Sequence, residues 1–370
     1  MACREQPHVD ISRRRFMKVE SMKKNSPRRI VILAAGKLDA FTAKTAAGVI
    51  RYRGEEVIGV LDPEHAGHSL ERLIGVGSGI PIVADLSELD ELRPDMLMIG
   101  VATPGGKLPD AWRELLRQAI DRGMEIVNGL HTMLGDDTEL SALAKEKGSK
   151  IWDVRRPPEE IDVGMARAKD LSTQVVLTVG SDCNLGKKIT AIEINLELQR
   201  RGLDSQFLPT GQTGVMITGR GIAIDRVIGD FMAGAVEQMV LEHQQHDWLV
   251  VEGQGAIFHP AYSSVTLGLM HGSCPRAMVL CHQPSRRSVR HTDIAIPSLS
   301  ELVAIHEALM KPILTSKVVG VSLNCFDLSE EGTTAAIDDV RAQTGLPVTD
   351  VVRRGPSPLV DALITHFTEG

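Results

Sequence analysis

Apolar residues along this chain fall into short β-branched runs that alternate with longer stretches of helical period. In the first half, 30–35 reads as a buried strand and 40–52 as a helix. Further strands are predicted at 56–61, 96–101 and 125–128, and a helix at 111–122. In the second half the strand pattern recurs at 174–179, 205–209, 248–251, 277–281, 318–324 and 347–352. Helical patterns cover 187–202, 226–244, 300–309, 333–344 and 357–367. Strands alternating with helices predict parallel sheets and an α/β class. The run Arg155-Arg156-Pro157-Pro158-Glu159-Glu160 divides the halves, because paired prolines break both helix and strand.

The strand at 174–179 runs into Gly180-Ser181-Asp182-Cys183-Asn184-Leu185-Gly186-Lys187-Lys188, and a helix follows. Strand, small-residue loop, Gly-Lys and helix form the context of a phosphate-binding loop. Backbone N–H groups at the helix start point at an anion, and Lys187 adds a full charge. The spacing is one residue longer than G-x-x-x-x-G-K. Lys188 stands where a Mg²⁺-ligating Ser or Thr is usual, and the next hydroxyl is Thr190. Gly180, Ser181, Asp182, Cys183, Asn184, Gly186, Lys187, Lys188 and Thr190 are therefore the expected cofactor-binding residues. The stretched loop resembles that of dethiobiotin synthetases.

The expected organisation is two α/β domains with parallel sheets. A basic tail covers 1–28, a Rossmann-like domain 29–154, a linker 155–170 and a P-loop NTPase-like domain 171–370. The first turn of the Rossmann-like half, Gly36-Lys37-Leu38-Asp39, lacks the G-x-G-x-x-G fingerprint of dinucleotide binding. Asp62 stands where a ribose-binding acid would. Loops at 36–37, 103–107 and 128–131 end strands; plain turn chemistry is the favoured reading for any one of them, and a cleft shared with the second half is the alternative.

Composition narrows the classes. Hydrophobic content of 43% and charged content of 24% are those of a soluble globular protein. No apolar run reaches the roughly 18 residues of a membrane helix. Five scattered cysteines without C-x-x-C spacing predict neither a disulfide framework nor a metal site, and a cytoplasmic location. Residues 1–29 hold nine Lys/Arg and three Asp/Glu, while the remainder is acidic, which argues against a nucleic-acid surface. The tail carries Ser12-Arg13-Arg14-Arg15-Phe16-Met17-Lys18, a twin-arginine look-alike with no apolar segment after it. Disorder is expected there, and Met17 or Met22 is an alternative start.

Several segments supply candidate chemistry. Strand 248–251 ends in Glu252-Gly253-Gln254-Gly255, an acid placed beside the phosphate loop. Thr210-Gly211-Gln212-Thr213-Gly214 reads as a glycine-rich turn whose hydroxyls and amide bind substrate. Asp225 and Asp230 precede a helix and suit either its positive end or a place in the site. His259, close behind Glu252, is the first choice of proton acceptor, with Glu252 the other catalytic candidate. Arg286, Arg287 and Arg290 suit bidentate binding of substrate carboxylates. The stretch with His271-Gly272-Ser273-Cys274 reads as too glycine-rich for plain core.

Taken together, the loop, Thr210–Gly214, Glu252–Gly255 with His259-Pro260-Ala261-Tyr262, and Val265-Thr266-Leu267-Gly268 with His271-Gly272-Ser273 resemble a bacterial family. Thr45-Ala46-Ala47-Gly48 and Arg51-Tyr52 extend the likeness, which covers roughly 29–368. That family, long described as a domain of unknown function, joins a Rossmann-like domain to a P-loop domain. Members characterised as D-glutamate N-acetyltransferases use acetyl-CoA and act with a racemase-like partner enzyme. The resemblance thus implies acetyl transfer from acetyl-CoA to the amino group of an acidic amino acid, D-glutamate first. Two other readings stay open: a Mg-ATP-dependent ligase or kinase of dethiobiotin synthetase style, and a non-catalytic nucleotide-binding protein. A homo-oligomer is expected from the general frequency of symmetric assemblies.

Overall fold

The computed structural model describes residues 27–39 and 42–369, so the expected basic tail lies outside them except for its last two residues. Of these, Arg28 donates to Asp95 Oδ1 and Glu125 Oε2, each at 2.8 Å.

The first sheet is built from β1 (Ile30–Leu33), α1 (Lys44–Arg53), β2 (Val57–Leu61), α2 (Leu70–Ile74), β3 (Ile82–Val83), β4 (Met96–Ile99), α3 (Trp112–Asp121), β5 (Glu125–Asn128), α4 (Thr138–Lys147) and β6 (Ile151–Asp153). Its strands run parallel in the order β3-β2-β1-β4-β5-β6. The second is built from β7 (Gln174–Gly180), α5 (Lys187–Arg200), β8 (Ser205–Leu208), α6 (Gln212–Thr218), α7 (Met232–Glu242), β9 (Trp248–Val251), α8 (Ser263–Ser273), β10 (Ala277–His282), α9 (Leu299–Met310), β11 (Lys317–Leu323), α10 (Glu330–Thr344), β12 (Val348–Thr349) and α11 (Ser357–Glu369). Its order is β12-β11-β10-β7-β9-β8, again parallel. Central strands such as Ile30–Leu33 and Trp248–Val251 are buried on both faces, which explains their unbroken apolar runs. The chain winds to both sides of β7, so the loop after β7 sits at a topological switch point, where such sheets bind ligands.

Several elements differ from expectation, each for a tertiary reason. The Thr210–Gly214 segment is not a free turn: α6 begins at Gln212, and its buried residues pack on α1. The glycine-rich stretch around His271 is helix α8. Gly268 and Gly272 lie one turn apart and face α7, where an added Cβ at Gly272 would lie 2.3 Å from Ala233 O. Helix α7 starts at Met232 rather than near 226, because short 3₁₀ turns at Ile224–Arg226 and Gly229–Phe231 precede it. The 347–352 strand is only Val348–Thr349. Elements α2, β3, α4 and β6 were not anticipated.

The two sheets are joined by packing of α1 on α6. The Thr45 and Thr213 hydroxyls lie 3.0 Å apart, Tyr52 donates to Glu193 at 2.9 Å, and Arg53 donates to Met216 O at 2.8 Å. At the far side Arg155 is buried; it donates to Gly129 O at 2.7 Å and pairs with Asp225. One apolar cluster runs from β1 and α1 through Val215 and Met216 of α6 to Val176 and Val250 of the second sheet. A second fills the other face, around Val175, Leu177 and Leu249. Among the described residues no helix is long and apolar enough to cross a membrane.

Candidate active site

Residues 181–186 connect β7 to α5, with Asn184 and Gly186 at φ 56° and 98°. The first-turn N–H groups of α5 open toward this loop, since a helix start has no internal acceptors for them. Lys187 is buried and folded back, its Nζ donating to Asp182 O at 2.7 Å. Ser181 Oγ lies 2.8 Å from His282 Nδ1. Burial, then Arg287 and Arg286, push the His282 ring down to about 4, so it stays neutral.

Asp182 organises the loop. It is fully buried; Oδ1 accepts from Cys183 N at 2.7 Å, and Oδ2 accepts from Arg286 Nη1 at 2.9 Å and Arg290 N at 2.8 Å. Arg286 also donates to Cys183 O at 2.7 Å and Gln283 Oε1 at 2.8 Å. Its guanidinium is therefore committed to the loop and is not available as the expected carboxylate clamp. Arg287, by contrast, turns away from the loop. It lines a cavity of about 510 Å³ between the 284–299 segment and α10. Arg290 remains at the loop, with its Nε 3.2 Å from His291 Nε2.

Thr190 is turned toward the sheet. Position 190 lies one turn into α5 on its sheet side, and the buried hydroxyl lies 2.8 Å from Ser322 Oγ. As an expected cofactor-binding residue Thr190 is therefore turned away, and the Mg-ATP reading has no hydroxyl from it. Lys188 instead reaches the joint between the sheets, where an added Cβ on Gly48 of α1 would lie 3.1 Å from its Nζ. Burial lowers the Lys188 ammonium to about 8, opposed by Glu252 and reinforced by Lys44 and Arg51.

Glu252 is buried at the end of β9. Its Oε2 accepts from Thr210 N at 3.0 Å and Gly211 N at 3.2 Å, and Thr210 Oγ1 donates to its backbone oxygen at 2.7 Å. Burial raises its carboxyl above the usual range; Lys188 and the two N–H donors oppose the rise. Thr210, Gly211 and Gly214 thus surround the Glu252 carboxylate. Thr213 meets Thr45, and Gln212 packs on Gly129. These five residues position Glu252 and the joint, a role that the expected substrate turn did not include.

His259 is buried against Tyr262, with ring centroids 4.4 Å apart. Its Nδ1 accepts from Ala261 N at 3.2 Å, so the neutral ring carries its proton on Nε2. That Nε2 is buried without a partner. Asp225, one of the two pre-helical acids, is the partner of Arg155.

Lys44, at the start of α1, was missed. It is a first-domain cation that feels the charges of the loop: burial, Arg290 and Arg286 lower its ammonium, while Cys183 and Asp39 oppose them. The available signal was a lysine opening the helix after a strand-end loop. Asp62, by contrast, is spent on that turn, its Oδ1 accepting from Gly36 N at 2.8 Å.

With this geometry in hand, comparisons place it among known proteins. Residues 162–360 match the P-loop domain, and 63–157 the Rossmann-like domain, of a family described as a domain of unknown function, DUF1611. A D-glutamate N-acetyltransferase of Tritonibacter scottomollicae is 38% identical over 329 residues, 88% of this chain and 95% of that protein. Another, from a Pseudoalteromonas species, is 34% identical over 288 residues, 76% and 84% of the two chains. The crystal structure of a DUF1611 family protein from Anabaena variabilis is 40% identical with a TM-score of 0.87, covering 91% of this chain and 99% of that one.

Proposed function

This chain belongs to the DUF1611 family, and from that premise we propose that it moves an acetyl group from acetyl-CoA to the amino group of D-glutamate. The supporting observation is the loop itself: two lysines open α5, and the next hydroxyl after them, on Thr190, is turned into the sheet. Such a site suits a polyphosphate held by amides and ammonium groups, which coenzyme A offers. Lys187 leaves Asp182 O to meet the phosphate, and Lys188 adds a second charge. Lys44 and Arg290 supply cations for the acceptor's two carboxylates. Glu252, with its raised carboxyl, takes the proton that the ammonium must lose. The His259 Nε2–H donates to the oxygen that becomes negative as the amine attacks the thioester.

The test is free thiol release from acetyl-CoA with a panel of D- and L-amino acids. Release is expected with D-glutamate and is expected to be lost in Lys187→Ala. Silence across the panel, with ADP formed from ATP instead, would move the ligase reading ahead.

A further inference from the structure

Of the four cysteines among the described residues, Cys274, Cys281 and Cys325 are buried, and only Cys183 is partly exposed. It stands at the tip of the phosphate loop. Its Sγ, a ring nitrogen of His259 and a carboxylate oxygen of Asp182 lie within 4.8 Å of one another. Such a trio invites a metal, but the charge around it does not. Both Asp182 oxygens already accept hydrogen bonds, one of them from Arg286. Lys187, Arg290 and Arg286 act on the Cys183 thiol, and Cys183 acts in turn on Lys44. These cations oppose a divalent ion, while burial and Asp182 outweigh them at the sulfur and keep it a thiol at rest.

The second observation is His259. It is only 4% exposed, and its Nε2 has no partner. A buried unpaired donor is costly and calls for a partner that arrives later. The Cys183–His259 pair has the makings of a nucleophile beside an oxyanion donor.

We propose that Cys183 carries the acetyl group covalently between donor and acceptor. This rests on the acetyl-CoA reading above. In the first step Cys183 sulfur attacks the thioester carbonyl; the new C–S bond forms, the bond to coenzyme A breaks, and the Cys183 proton ends on the released coenzyme A thiol. In the second, the free amine attacks the Cys183 thioester; the amide forms, and a proton from nitrogen returns to Cys183 sulfur. His259 Nε2–H donates to the carbonyl oxygen in both steps. Burial and Asp182 raise the thiol while Lys187, Arg290 and Arg286 oppose them, so the resting sulfur keeps its proton and gives it up only in the attack itself.

The full chain is incubated with acetyl-CoA without amino acid, quenched in acid and mapped by peptide mass. One acetyl group on the Cys183 peptide is expected, removed by hydroxylamine and converted to N-acetylglutamate when D-glutamate is added. Isotope-labelled coenzyme A is expected to exchange into acetyl-CoA without amino acid, and Cys183→Ser, checked for a native melt, is expected to lose that exchange. Turnover with D-glutamate but no adduct and no exchange would overturn the carrier and leave direct transfer. An adduct without turnover would keep the carrier and overturn D-glutamate as acceptor. Neither adduct nor turnover would sink both.

Discussion

Lys188 sits where a cation is costly: burial brings its ammonium down to about 8 from 10.5. The charge is present at neutral pH and is lost as pH rises through about 8. Donor affinity is expected to fall over that range, measured as KM for acetyl-CoA against pH. Lys188→Arg, whose charge persists, is expected to flatten the fall. Lys188→Met is expected to raise KM about 10- to 100-fold, since a charge-assisted hydrogen bond is worth about 1.5–3 kcal/mol. The stability effect has the opposite direction. Between about 8 and 10.5 the unfolded chain holds a proton that the folded Lys188 does not, so folding stability rises with pH across that window. Denaturant titrations at several pH values are expected to show Lys188→Met losing part of that rise; Lys187 and Lys44, also lowered, contribute the same sign.

At the scale of elements, the site depends on how closely strand β9 approaches β7. An added Cβ at Gly253 would lie 1.5 Å from Thr178 O, and Gly253 N already donates to Thr178 Oγ1 at 2.9 Å. Gly253→Ala must push two backbones apart beside Glu252, and is expected to cost about 3 kcal/mol or more. The denaturation midpoint reads this, with Gly54→Ala as the control, since nothing lies within 4 Å of a Cβ there. The strands and most long helices were legible because buried parallel strands print unbroken apolar runs. Helices α6 and α8 were not, because their glycines have tertiary causes: Gly272 meets α7, and Gly214 meets Glu252. The phosphate loop was legible as local pattern. The binding of Arg286 to Asp182, 104 residues away in sequence, was not, and neither was the arrival of Lys44 from the other sheet.

At the scale of the molecule, one apolar cluster spans both sheets, and α1 lies on α6 through Thr45 and Thr213. Separate domains with a thin interface would unfold separately. Here a single calorimetric transition is expected for the full chain, with two resolved transitions counting against a shared core. The first half alone leaves Thr45, Gly48 and Arg53 of α1 without Thr213 and Met216 of α6, and is expected to aggregate.

The joint also defines how the protein can be taken apart. Lys44 belongs to one half and Cys183, His259 and Arg290 to the other, so neither half would hold the whole of the proposed site. Cut between 157 and 162, the halves become two polypeptides whose catalysis depends on finding each other. Activity would then rise with the concentration of either fragment, turning the contact at Thr45 and Thr213 into a reporter of whatever tethers them.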